Sequence, residues 1–418
     1  MILELKSLRR MALREIFMNK MQILRSYFQT KRRLKWDRNK LEIWHKKGIR
    51  KIVSYAKKHS PFYRKLYGNM TNFASFPIIS KKEMMETFDL FNTAGISKEK
   101  AVQVALEGEK NKTYDSKING ITVGLSSGTS GKRGVFLASE KEAALWCGNI
   151  LAKTLTCSIF KKEKVALFLR ANSNLYETAS SFKYFPLDGD YEEIKEFDPD
   201  ILVGPPSLLR KLPKIHPKKV ISVAEVLEPL DEKFLEKKFK IRIDQVYQCT
   251  EGFLGFTCEK GTLHLNEDVL HIEKEYIDRS TGRFLPIITD LFRSTQPIIR
   301  YRLDDVLIEG TCSCGSSFMA IECIEGRLTD VLSFKKKEGE QTYIFPREIG
   351  KIFSSEYLLK QDSQGVLHLY GGCEKELKAF LIRKNITLPK IKWYSQLPIR
   401  KDYEKLRRVQ RNGNSIFV

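Results

Sequence analysis

Val123-Gly124-Leu125-Ser126-Ser127-Gly128-Thr129-Ser130-Gly131-Lys132-Arg133-Gly134-Val135-Phe136 decides how this chain is read. Glycines alternate here with hydroxyl residues and are followed by a lysine. Such a backbone bends sharply and can turn its N–H groups toward phosphate oxygens. It is not a Walker A loop, because Lys132 is followed by Arg133 and the glycine spacing before it differs. Taken alone, the segment reads equally well as a Gly/Ser hairpin, so its company along the chain has to decide.

Downstream, residues 140–156 read as a helix and Lys164-Val165-Ala166-Leu167-Phe168-Leu169-Arg170 as a buried strand. Ile201-Leu202-Val203-Gly204 is a second apolar strand, followed by Pro205-Pro206-Ser207 and a helix through Leu212; Lys219 to Val223 is a third. Strands alternating with helices and ending in Gly/Pro/Ser turns predict an α/β fold with a mainly parallel sheet, whose binding sites lie beyond the strand C-termini. Upstream, Ile49 to Tyr67 reads as a helix ended by Ser60-Pro61.

A chain of 418 residues predicts two or three units. Its 42% hydrophobic content fits a globular protein, and no apolar run reaches bilayer length or signal-peptide character, so a cytoplasmic location is expected. Eight cysteines are too sparse for a disulfide scaffold and predict reduced thiols. The net charge of +22 is concentrated at one end: residues 1–68 hold 20 Lys or Arg against 4 Asp or Glu. In residues 1–47, Ile2, Leu5, Leu8, Leu13, Ile16, Phe17, Leu24 and Phe28 fall near helical spacing, which predicts a basic amphipathic segment. It reads either as attachment to an anionic membrane surface, making the protein peripheral to the inner face, or as a helix packed on the body with a solvated basic face. Nucleic acid is not an expected partner, since no zinc-finger, helix-turn-helix or aromatic RNA-binding signature accompanies the charge.

Ser127-Gly128-Thr129-Ser130-Gly131-Lys132 resembles the phosphate loop of adenylate-forming enzymes, the superfamily of acyl-CoA synthetases and adenylation domains. More narrowly, the chain resembles the branch of phenylacetate-CoA ligases, coenzyme F390 synthetases and CapK-like proteins, which usually has proline where Arg133 stands. Pro61-Phe62-Tyr63-Arg64 and Phe76 to Lys82 resemble packing segments of that branch and carry no chemistry. Tyr247-Gln248-Cys249-Thr250-Glu251 resembles the family's Tyr-Gly-x-Thr-Glu turn. By that resemblance Tyr247 lies against adenine, Thr250 reaches the α-phosphate and Glu251 holds Mg²⁺, and a carboxylate is a suitable ligand for that hard cation. Gln248 stands where glycine is usual, which puts a side chain against the acid pocket.

Pro297 to Val306 resembles the strand that ends in the ribose-binding aspartate, which assigns that role to Asp305 with Asp304 as the substitute. Glu325-Gly326-Arg327-Leu328-Thr329-Asp330 resembles the family hinge, with Arg327 on the nucleotide and Leu328 to Asp330 absorbing a rotation. Asp198 to Ser207 and Ala224-Glu225 resemble segments flanking the acyl pocket. Gln396 to Arg408 resembles the closing segment that carries the catalytic lysine, here Lys405, with Lys401 as runner-up. The implied organisation is a basic segment (1–47), a large adenylation domain (48–326) and a small α/β lid (327–418).

Cys258 and His264, with Cys312 and Cys314, make three soft thiolates and one imidazole, a valid tetrahedral zinc set of structural type. Their spacing departs from ordinary ribbons, so reduced structural thiols are the alternative. The same branch carries a similar arrangement. Together the motifs imply an ATP- and Mg²⁺-dependent enzyme that converts a carboxylic acid to an acyl-adenylate and passes the acyl group to a thiol, with coenzyme A expected. The alternatives are a synthetase with a non-thiol acceptor, as in the F390 branch, and a catalytically silent protein of surface-polysaccharide assembly.

Overall fold

The computed structural model describes residues 19–111, 116–126, 133–168, 181–187, 189, 191–400 and 405–412. The loop Ser127 to Lys132, and Lys401, therefore lie outside the described residues. Helix α1 spans 19–33 and α2 spans Arg38–His59, the latter started by the Asp37 side chain, which accepts from Lys40 N. α2 runs unbroken through position 47, so residues 38–47 share one helix with residues 48–59. Ser60 both ends α2, by donating its N–H to the Ala56 carbonyl, and caps a second helix, Pro61–Tyr67. Where the sequence pattern gives only an end, the chain has a junction, because proline suits a first helical turn as well as it stops a preceding one.

Ile23 and Tyr27 of α1 pack on Ala144, Cys147 and Leu151 of α3 (Glu140–Thr154). The helices cross at Gly148, where an added Cβ would stand 2.6 Å from Ser26 Cβ and strike the Ile23 carbonyl. Over 19–33 the apolar face is thus buried in the body, as in the packed-helix reading; Leu24 is half-buried, Phe28 is exposed, and Ile2 to Phe17 lie outside the described residues. No helix among the described residues is long and apolar enough to cross a membrane.

β1 (Ile121–Leu125) and β2 (Val135–Ala138) pair antiparallel, and Ser126 N donates to the Gly134 carbonyl at 2.7 Å, closing the stem of the glycine-rich loop. The main sheet begins with β3 (Val165–Phe168), β4 (Phe182–Phe185), β5 (Ile201–Gly204), β6 (Lys219–Ser222) and β7 (Ile243–Cys249), in spatial order β4-β3-β5-β6-β7 and all parallel. Beyond β7 the pairing becomes antiparallel: β8 (Gly252–Thr257) folds back on β7 across Thr250-Glu251, with a register shift at Tyr247/Gln248. The rest of this twelve-stranded sheet is antiparallel and lacks the crossover helices that parallel neighbours need. The helix predicted through Leu212 is shorter, Pro206–Leu209. After a 3₁₀ turn at Leu328–Asp330, a two-stranded and a four-stranded sheet with the helix Glu374–Arg383 enclose a core of their own around Leu359, Leu369 and Leu377.

Candidate active site

The tight return from β7 to β8 turns Glu251 inward, where it is 8% exposed. Tyr301 Oη donates to its Oε1 and Thr250 Oγ1 to its Oε2, each at 2.9 Å. Burial pushes this carboxyl up, but the Cys249, Thr250 and Tyr301 side chains together with the charge of Lys81 outweigh it and hold the group below its ordinary value. Two supporting residues carried no signal of their own in the sequence. Arg293 donates to the Thr250 carbonyl at 2.7 Å and fixes the turn. Lys81 stands in a stretch read only as packing, yet an added Cβ on Gly134 would lie 3.1 Å from its Cε, so it sits at the stem of the glycine-rich loop and acts on Glu251.

Tyr247 Oη donates to Asp305 Oδ2 at 2.8 Å, and Arg327 Nε lies 3.9 Å from Asp305 Oδ1. A solvent-open cleft of about 1030 Å³ is lined by Tyr247, Gln248, Asp305, Arg327, Asp330 and Lys405. Asp304 is not among its described lining residues; burial and the neighbouring Asp305 push its carboxyl up.

Lys405 is held at this cleft by the residues that follow it. Leu406 N donates to Glu225 Oε1 at 2.8 Å, and Arg407 Nε donates to Asp330 Oδ2 at 3.1 Å. Arg408, its side chain 1% exposed, donates from Nη1 to Asp231 Oδ2 at 2.6 Å and from Nη2 to Asp231 Oδ1 at 2.8 Å, with Glu228 and Glu356 at 3.5 and 3.1 Å. Glu225, read from the sequence as a flank of the acyl pocket, thus ties down the closing segment. Burial raises the Glu228 carboxyl to about 7 against the pull of Arg408. A carboxyl raised on folding stabilises the fold most below its unfolded value of about 4.5, and that contribution is lost as pH climbs through about 7. The thermal midpoint of Glu228→Gln is therefore expected to fall less than that of the parent between pH 5 and 7.5, by on the order of 2 °C, in paired melting curves.

Away from the cleft, Cys258, His264, Cys312 and Cys314 bring one ligand atom each within 4.8 Å of one another. Cys258 Sγ is 3.6 Å from Cys312 Sγ, and Cys314 Sγ is 3.4 Å from His264 Nε2. His264 Nδ1, 2.8 Å from the Phe318 carbonyl, has the orienting partner that leaves Nε2 to act as a ligand. Thr262, working against burial and together with His264, holds the Cys312 thiol down at about 6. The donor set and its compactness fit a tetrahedral zinc ion.

The large mixed sheet and the smaller C-terminal unit match the adenylate-forming ligase fold. Among solved structures, the chain is similar to 2-hydroxyisobutyryl-CoA ligase in the postadenylation state in complex with R3-HIB-AMP, at a TM-score of 0.64 and 16% identity over 92% of each chain. The same ligase in the thioesterification state, with 2-HIB-AMP and CoA, gives 0.54 at 16% identity over 91% of each chain. Its open conformation gives 0.52 at 16% identity, over 87% of this chain and 89% of that one. No family model and no curated protein matches the sequence.

Proposed function

We propose that this chain is an ATP-dependent carboxylate-activating enzyme of the adenylate-forming superfamily, in its phenylacetate-CoA ligase-like branch. One observation carries the reading. Tyr247, Asp305, Arg327 and Lys405, each assigned to one nucleotide from separate motifs, line a single cleft. In the first half-reaction a carboxylate oxygen attacks the α-phosphorus of ATP, and pyrophosphate leaves as the Pα–O bond to the β-phosphate breaks. In the second, a thiolate, that of coenzyme A, attacks the acyl carbon and AMP departs.

Asp305 offers its carboxylate to the ribose hydroxyls and Arg327 steadies the nucleotide. Ser127, Gly128, Thr129, Ser130, Gly131 and Lys132 grip the outer phosphates. Thr250, whose hydroxyl donates to Glu251 in this structure, would turn it to the α-phosphate, and Lys405 bridges the approaching carboxylate and phosphate, offsetting their repulsion. Glu251, held ionised, is the residue that would keep Mg²⁺, which neutralises triphosphate charge when bound. The clasp of Leu406, Arg407 and Arg408 seats Lys405 for adenylation, and rotation of the 327–418 lid about Leu328 to Asp330 would withdraw it for thioester formation. Pyrophosphate release across a panel of aryl and aliphatic acids, with mass spectrometry of the adenylates, tests the reading. ATP binding without pyrophosphate from any acid would sink it.

Zinc at Cys258, His264, Cys312 and Cys314 would clip the antiparallel half of the sheet together. Purified protein is expected to hold about one equivalent of tightly bound zinc, and Cys312→Ser to lose the metal together with stability. Metal-free protein of undiminished stability would leave these residues as reduced thiols.

A further inference from the structure

Beside the nucleotide cleft lies a second cavity, a slot between α3 and one face of the parallel sheet. The pleat sets its floor. Val165 and Leu167 of β3 and Ile201 and Val203 of β5 point to this face, while Ala166, Phe168 and Leu202 point to the other. Ile221, Val223, Val246 and Gln248 continue the floor toward the cleft, and Ile150, Leu151 and Thr154 of α3 form the roof. Val246 and Gln248 line both cavities, so the slot opens beside the nucleotide, with Gln248 at its neck. Helix α3 does not close it, since Ile150, Val203 and Val246 stay only half-buried.

The lining dictates what can enter. It has no charged side chain among the described residues, and the Thr154 hydroxyl is already spent on the Ile150 carbonyl at 2.8 Å. At the far end of the floor Lys219, in register with Ile201, is engaged by the Thr154 carbonyl at 3.0 Å and by Asp244 at 3.3 Å, so a second carboxylate carried there would lose its water and have to break that pairing to gain a partner. Val165 is in register with Ile201, and Leu167 with Val203 and Ile221; Val223 lies two residues further along. The floor therefore runs about 13 Å at ~3.3 Å per residue, the extended length of roughly ten carbons. Resting on the ligase reading, we infer that the activated acid is an aliphatic monocarboxylate of about six to ten carbons, its tail lying in this slot.

The test compares pyrophosphate release with octanoate, butanoate and octanedioate. Octanoate is expected to exceed butanoate by about 10²-fold in kcat/KM, from four further buried methylenes, and to exceed octanedioate by at least as much. Val203→Phe puts a ring across the middle of the floor and is expected to shrink the octanoate-to-butanoate ratio tenfold or more, with ATP binding as the check on folding. Octanedioate turning over as well as octanoate, or an unchanged ratio in folded Val203→Phe, overturns the inference; if that variant does not fold, the octanedioate comparison decides. Calorimetry of octanoate with the full chain separates the two claims. Octanoate binding without pyrophosphate release removes the ligase reading and leaves an aliphatic slot, whereas pyrophosphate release from other acids with no octanoate binding removes the slot.

Discussion

Glu251→Gln is expected to lower pyrophosphate release by about 10²- to 10⁴-fold. The substitution keeps the side-chain volume and an oxygen for the Tyr301 hydroxyl, which now donates at 2.9 Å, so the packing around the turn should survive. What disappears is a full negative charge that the protein keeps ionised in a buried place, with hydrogen bonds offsetting the desolvation. If that charge holds the cation accompanying ATP, the loss should be steepest at limiting Mg²⁺ and partly recovered at high Mg²⁺. Turnover that is unchanged at limiting Mg²⁺ would rule out the metal role.

Lys405→Ala should slow adenylate formation by about 10²- to 10³-fold, because a compact cation between two approaching anions acts mainly in the transition state. The same variant, supplied with preformed acyl-adenylate and coenzyme A, should make thioester at a near-normal rate. That asymmetry follows if Lys405 occupies the cleft only while the closing segment is clasped by Glu225, Asp330 and Asp231. Single-turnover measurements of the two half-reactions give the answer. Equal loss in both would make Lys405 structural or abolish the rotation, and loss confined to Lys401→Ala would place the register four residues away.

Three strands of the parallel half, β3, β5 and β6, were legible because they are apolar runs punctuated by helices, whereas Phe182–Phe185 and Ile243–Cys249 mix polar residues into the run, and the Thr250-Glu251 turn was legible only through its resemblance to a family motif. The antiparallel half was less so. Leu270–Asp278 carries Glu273, Lys274 and Glu275 in its middle, Arg283–Asp290 contains Pro286, and nothing local says which strand each will pair with. The supporting shell was the least legible. Arg408 meets Asp231 from 177 positions away, and Arg293 reaches the Thr250 carbonyl across 43. Contacts of that range leave no spacing to read, and an arginine beside other basic residues looks like solvated charge.

The buried Arg408 has a consequence for how the molecule comes apart. Two cores joined only by the turn at Leu328–Asp330 would ordinarily melt in separate steps. Here the guanidinium stands between Asp231 and Glu228 of the larger core and Glu356 of the smaller one. Unfolding the smaller core alone would take Arg408 from Asp231 and Glu228, leaving Asp231 with Arg210 at 2.6 Å as its remaining cation inside the larger core, and dismantling a buried charge cluster in this way carries a penalty. That penalty couples the two cores, so their loss of structure becomes a single cooperative event.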